Sequence, residues 1–184
     1  MAGAKELNRL NGEINSCVKC RLFKTRIKAV PGEGTLGCEF MFLGQGPGRE
    51  EDQTGRPFVG RAGKLLTGLI ESAGLKRKDV FITSAVKCLP TPPLNRKPKP
   101  DEIKACFPYL LRQIEIMRPK KIVLLGVVAL KLFFPEGSLK LLRGKWIQKD
   151  GLDYFISYHP AAGIRFQKFK KILAQDFAAL NNEN

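Results

Sequence analysis

GQGPGREEDQTGRPFVGRAG, Gly44 to Gly63, is the stretch that decides the fold. It follows a short apolar run, Phe40-Met41-Phe42-Leu43, that reads as a buried strand. It precedes Lys64-Leu65-Leu66 and Leu69-Ile70, spaced as one face of a helix. A strand ending in Gly44-Gln45-Gly46-Pro47-Gly48 puts backbone N–H groups at the carboxyl edge of a sheet, where open α/β folds bind ligands. The glycines let that backbone come close to a substrate, and Pro47 stiffens the loop. No Gly-Lys-Ser/Thr follows at P-loop spacing, and Pro47 and Arg49 break the dinucleotide fingerprint. On pattern alone, a tight structural turn and a binding loop both fit.

The chain has 184 residues, of which 43% are hydrophobic, and a single domain is expected. No apolar run approaches the ~20 residues that span a bilayer. The start, MAGAKELNRLNGE, lacks the apolar core of a signal peptide, so an intracellular protein is expected. The net charge of +15 suits a polyanionic partner, most often nucleic acid. Basic residues cluster at 21–28, 96–99, 143–149 and 165–171.

Five cysteines are unevenly placed. Cys17 and Cys20 form a CxxC, Cys88 and Cys106 lie far along the chain, and Cys38 sits beside a strand. An odd number without a signal peptide argues against a disulfide framework. Cys38 reads as a buried free thiol. The other four have the pattern of ligands, and a tetrahedral zinc and a four-iron cluster both satisfy it.

Leu7, Leu10 and Ile14 predict a helix leading into the CxxC loop. Residues 30–34 read as a turn. A helix over 62–73 stops at Gly74, and Val80 to Thr83 is a second strand. Pro90, Pro92, Pro93, Pro98 and Pro100 then exclude helix and central strand. Asp101 reads as the cap of a helix whose Ile103, Phe107, Leu110, Leu111, Ile114 and Met117 form one core stripe. Residues 121–126 are a third strand, followed by a short helix through Phe133. Residues 152–158 are a fourth strand, and 165–180 an amphipathic helix. Alternating strand and helix predict a parallel sheet covered on both faces, with Gln45, Ser84 and His159 on one rim. His159 is the only histidine, and it can donate a hydrogen bond near neutral pH.

GQGPGREEDQTGRPFVGRAG, ITSAVKC, the four spaced cysteines and HPAAGIR together resemble the iron–sulfur (family 4) uracil-DNA glycosylases, over nearly the whole chain from Cys17 onward. The resemblance implies an α/β/α sandwich around a four-stranded parallel sheet. It also implies a [4Fe–4S] cluster on Cys17, Cys20, Cys88 and Cys106. The implied activity is excision of uracil from DNA in repair, leaving an abasic site, by a monomer at the nucleoid in the cytoplasm, with no membrane partner.

The resemblance also distributes roles. His159 bonds the departing uracil oxygen, where charge develops. Backbone N–H groups of Gln45 and Gly46 hold the base edge, with Gly44 and Pro47 shaping that wall. Phe58 stacks on the flipped ring. Glu51 and Asp52 position water or offset charge on the sugar. Ile164 and Arg165 stand where the family's loop wedges into the duplex, with Lys168 on phosphate. Two residues depart from the family pattern: Gln45 stands for the common Glu, and Ser84 for the common Asn. A hydroxyl reaches less of uracil's O4 and N3–H than a carboxamide does. A glycosylase shifted toward hypoxanthine or xanthine, and a non-catalytic iron–sulfur DNA-binding protein, are the alternatives.

Overall fold

Four runs of apolar residues build the centre of the sheet: β2 (Phe40–Gly44), β3 (Phe81–Ser84), β4 (Lys121–Leu125) and β6 (Leu152–Ser157). The protein is described by a computed structural model covering residues 2–94 and 96–181. Parallel strands covered on both faces must be apolar throughout, and β2 is buried at every position. Side chains alternate between faces, so each strand feeds two cores. Phe42, Ile82, Val123 and Phe155 point to one core, and Met41, Phe81, Ile122 and Tyr154 to the other.

Helices α3 (Arg61–Ser72) and α8 (Gln167–Ala178) cover the first face through Leu66, Ile70, Leu173 and Phe177. The second face is covered by α4 (Pro100–Met117) and α5 (Val127–Phe133). Helix α1 (Ala2–Asn15) packs on α4 and buries Leu10 and Ile14 in a third cluster that includes Cys88 and Cys106. The layers are α/β/α, as expected.

The sheet has six strands, in the order β1-β3-β2-β4-β6-β5. The four central strands are the parallel ones expected. The two outer ones are antiparallel additions. β1 (Glu33–Gly34) occupies what reads as a turn, and β5 (Trp146–Lys149) forms a hairpin with β6. Asp150 and Gly151 close that hairpin with φ of 51° and 76°, the left-handed pair a tight hairpin turn requires.

The chain runs from β2 outward to β3, then returns past β2 to β4. The crossover direction therefore reverses between β2 and β4, and their carboxyl ends, Gly44 and Leu125, flank the crevice where such sheets bind ligands. Register keeps the rim level: Gly44 pairs with Ser84, and Leu125 with Ser157.

Three local readings are corrected. Lys99, not Asp101, is the N-cap of α4: Pro100 takes the first turn and Glu102 Oε2 accepts the Lys99 N–H at 2.7 Å. Asp101 instead pairs with Arg21 at 2.6 Å. Leu111, assigned to the core stripe, is 40% exposed. Residues 49–54 of the glycine loop form a short helix, α2 (Arg49–Thr54). The remaining helices are α6 (Leu139–Leu142) and α7 (Pro160–Arg165). Among the described residues no helix is long and apolar enough to cross a membrane.

Candidate active site

Phe58 is the side chain that closes the rim crevice. Its ring is packed so near Gly44 that a Cβ there would lie 2.5 Å from Phe58 Cζ, and the Ser84 hydroxyl lies 3.3 Å from the same point. The ring also meets His159, with centroids 5.6 Å apart and a 31° tilt. Gly44, Phe58, Ser84 and His159, drawn from β2, the following loop, β3 and the end of β6, thus meet at one place.

Phe58 holds this position at a cost, because its φ is 49°. Its surroundings enforce the conformation. Arg77 donates to Phe58 O at 3.2 Å and to Pro57 O at 2.7 Å, and is itself paired with Glu33 of β1 at 2.7 Å. Gly63 packs against the same carbonyl, where a Cβ would come within 1.9 Å. Thus β1, unforeseen from the sequence, supplies the carboxylate that anchors the brace.

Glu51 organises the rest of the loop. One carboxylate oxygen accepts from Val59 N–H (2.8 Å) and Gly60 N–H (2.9 Å), the other from Gly48 N–H (3.0 Å). Asp52 is buried and receives Ile27 N–H at 3.1 and 3.2 Å, tying the loop to the segment after the CxxC. Gln45 extends its amide toward Arg96 O at 3.5 Å. Beyond Ser84 the β2–β3 ladder continues, with Ala85 N–H on Gly44 O and Val86 N–H on Gln45 O. Gly46 lies against Val86, and Pro47 is buried.

His159 caps α7, its Nδ1 accepting the Ala161 N–H at 3.2 Å. An accepting Nδ1 leaves the proton of the neutral ring on Nε2. Nε2 is sealed from solvent and has no partner. Burial holds the imidazole pKa down at about 4, with Glu51 pulling weakly the other way. The ring is therefore neutral near pH 7, with one unspent donor. Buried donors without partners are rare, and such a group calls for a functional explanation.

The four cysteines of the ligand pattern converge on one cavity with Ile14, Lys87 and Tyr109. None forms a disulfide. Arg26 donates to Cys88 Sγ at 3.3 Å, and Lys19 N–H to Cys17 Sγ at 3.5 Å. Burial pushes the thiols of Cys20, Cys88 and Cys106 up, Cys88 to about 11. Among the described residues no group of three or more His, Cys, Asp or Glu is placed to hold a metal ion. Cys38 is buried in the core, as expected.

Residues 31–181 match the family model described as the uracil DNA glycosylase superfamily. A type-4 uracil-DNA glycosylase of Sulfurisphaera tokodaii is 49% identical over 93% of this chain and 81% of its own length. That of Saccharolobus solfataricus is 47% identical over 93% and 83%, and that of Thermotoga maritima 43% over 89% and 86%.

The chain belongs to the uracil-DNA glycosylase superfamily.

For a member of that superfamily, the basic clusters are less uniform than the sequence suggests. Arg21 pairs with Asp101, Arg96 with Glu102 at 2.6 Å, and Arg143 with the buried Asp176. Arg165, Lys168, Lys170 and Lys171 are all exposed. Ile164, assigned to the wedge, is only partly exposed, whereas Phe166 stands 57% exposed at the α7–α8 corner. Sequence reasoning passed over Phe166, and also Arg77 and Lys87. An aromatic amid Arg165, Gln167 and Lys168 was the available signal for the first.

Proposed function

We propose that this chain excises uracil from DNA as a monofunctional glycosylase, leaving an abasic site. The observation that carries this is the Nε2–H of His159: buried, unpartnered and set beside Phe58 on the rim of the crevice. Cleaving the bond between uracil and its sugar leaves negative charge on the base and positive charge on the sugar. A donor already desolvated and fixed where the negative charge grows needs no reorganisation during the reaction.

A base stacked in a duplex cannot reach this crevice, so it must be flipped out. Phe58 offers a ring to stack on, and Gly44 keeps that ring close to the strand. Backbone N–H groups at Gln45 and Gly46, with the Ser84 hydroxyl, meet the polar edge of the base. His159 Nε2–H meets the oxygen that becomes anionic. Glu51, bound on three N–H groups and near His159, is a fixed negative charge that offsets the sugar's positive charge. Asp52 locks the loop to Ile27 rather than acting on the substrate. Arg165 and Lys168 meet phosphates, and Phe166, with Ile164 behind it, takes the duplex gap. The self-repelling +15 charge favours a monomer working at the nucleoid.

The cysteine cavity fits a [4Fe–4S] cluster on Cys17, Cys20, Cys88 and Cys106. Four thiols lining one cavity are the donor set such a cluster takes, and N–H donors already face two of the sulfurs. When bound, the cluster cross-links the N-terminal segment to α4 and supplies a local charge, while the residues on the rim carry the base chemistry.

The test is a labelled oligonucleotide containing one uracil, treated with protein and then hot alkali. Strand cleavage at the uracil supports the glycosylase. A retarded, uncleaved complex supports the binding-only alternative. Ser84, with its hydroxyl beside Gly44, motivates the second reading, so hypoxanthine and xanthine oligonucleotides belong in the same series. Protein purified without oxygen is expected to be brown, with roughly four irons per chain. Stoichiometric zinc without iron would end the cluster assignment.

A further inference from the structure

Lys87 lies one residue before Cys88 and three after Ser84, and only 1% of it reaches solvent. Its ammonium donates to Thr83 Oγ1 at 2.6 Å, to the backbone oxygen of Ser84 at 2.7 Å and to Gln113 Oε1 at 2.7 Å. Those three bonds use all its hydrogens. All three acceptors are uncharged. The knot is tied further: Gln113 Nε2 donates to Pro31 O at 2.7 Å, and Thr83 Oγ1 to the same oxygen at 2.8 Å. Three segments, the end of β3, the middle of α4 and the chain before β1, are therefore joined through one buried cation.

A buried ammonium whose partners are all neutral is costly unless another group answers its charge. Lys87 also forms part of the wall of the cysteine cavity, and its charge and backbone act on Cys106. Four cysteine thiolates around an iron–sulfur core carry net negative charge. On the other side, the carbonyl it holds belongs to Ser84, whose hydroxyl faces the crevice beside Gly44.

We infer that Lys87 is a positioning residue joining the cysteine cavity to the base pocket. Its ammonium answers the charge on the cavity side, and its bond to the Ser84 carbonyl fixes the end of β3 that meets the base. This rests on the glycosylase and cluster assignments above, and it gives the cluster a role beyond cross-linking: an occupied cavity sets the geometry of Ser84. A methionine at 87 fills similar volume, but it leaves the Ser84 and Gln113 oxygens without their donor and removes one of the cations around the cavity, where Lys19 and Arg26 remain.

The experiment compares wild type with Lys87→Met, Gln113→Leu and Thr83→Val, all purified anaerobically and loaded with iron. Reduction potential, uracil excision in single turnover and DNA affinity are measured. For Lys87→Met the potential is expected to move negative, since a nearby positive charge is gone, and excision to fall about tenfold or more at unchanged DNA affinity. Gln113→Leu and Thr83→Val keep the cation, so excision is expected to fall while the potential stays put. If Lys87→Met does not fold, that pair of variants still tests the brace. Folded, iron-loaded Lys87→Met with wild-type potential and rate would overturn the inference. So would wild-type excision by both Gln113→Leu and Thr83→Val. Wild-type protein lacking iron or uracil cleavage would overturn the underlying assignments instead, and the wild-type controls alone reveal that.

Discussion

Replacing His159 with alanine separates catalysis from stability, because its two nitrogens have different work. Nδ1 caps α7 through Ala161 N–H at 3.2 Å, a bond worth about 1 kcal/mol. Nε2–H is buried without a partner, and an unmet donor costs the folded state roughly 1–3 kcal/mol. Losing both together should leave stability within about 1–2 kcal/mol of wild type, once lost packing against Phe58 is included. Catalysis should suffer far more. Removing one donor aimed at a developing anion costs about 10²–10³ in kcat, or roughly 2.7–4 kcal/mol. Affinity for uracil-containing DNA should hardly change, because the interaction strengthens only as the bond breaks. Single-turnover excision, DNA titration and thermal melting measure the three quantities. The pH profile adds a check. With a pKa of about 4, the imidazole is neutral in the free protein, so kcat/KM should show no titration near pH 6.5. Stability has the opposite sensitivity. The unfolded chain takes up a proton near pH 6.5 that the folded chain refuses until about 4. The histidine's contribution is therefore intact above pH 6.5 and lost as pH falls through that window. Because His159 is the sole histidine, its nitrogen shifts can be assigned without mutants. His159→Ala cleaving uracil at the wild-type rate, or a ring carrying its proton on Nδ1, would refute the reasoning.

Ser84→Asn supplies a carboxamide able to bond both O4 and N3–H of uracil, and should raise uracil excision or sharpen rejection of hypoxanthine and xanthine by ~1–2 kcal/mol. Loss of uracil cleavage in that variant would mean the pocket is fitted to serine. Arg77→Met frees the Phe58 carbonyl, so KM should rise several-fold with a lowered Tm, and an unchanged KM would show that Phe58 needs no brace. Phe166→Ala should weaken duplex binding more than Ile164→Ala does, as read by fluorescence anisotropy; equal losses would return the wedge to Ile164. Removing Lys168, Lys170 or Lys171 should weaken uracil-containing and normal DNA alike and reduce the salt slope by about 1 each, whereas a change in base preference would place that lysine in the pocket.

The parallel core was legible because it is the part where local sequence and burial say the same thing. Four apolar runs, each followed by a turn or a helix, leave few other arrangements, and the level rim at Gly44, Ser84 and Ser157 follows from them. The cysteines were legible as one group, and the fold brings all four to one cavity; the burial of Cys88 and Cys106 in an apolar cluster was not legible, because it depends on packing by α1. What escaped was everything held by long-range polar contacts. Strand β1 is two residues long and exists through its pairing with β3. Helix α2 has no apolar stripe and is capped by the carboxylate of its own Glu51. Arg77 and Glu33 lie 44 positions apart. Charge clusters misled because sequence cannot tell an arginine that meets DNA from one, such as Arg96, spent on the buried Glu102. Lys87 left a trace: a lone lysine among the apolar residues leaving β3, a place where a charge needs a reason.

The two antiparallel additions to the sheet have a colloidal consequence. A parallel sheet that stopped at β3 and β6 would offer two long rows of unpaired N–H and C=O groups, each a template for another chain. Here the row on β3 is covered by a strand of two residues, the second of them a glycine. The row on β6 is covered by Trp146–Lys149, which ends in exposed Gln148 and Lys149. Either outer edge is too short or too polar to recruit a neighbour. Copies of the chain can then sit close together without adding strand to strand.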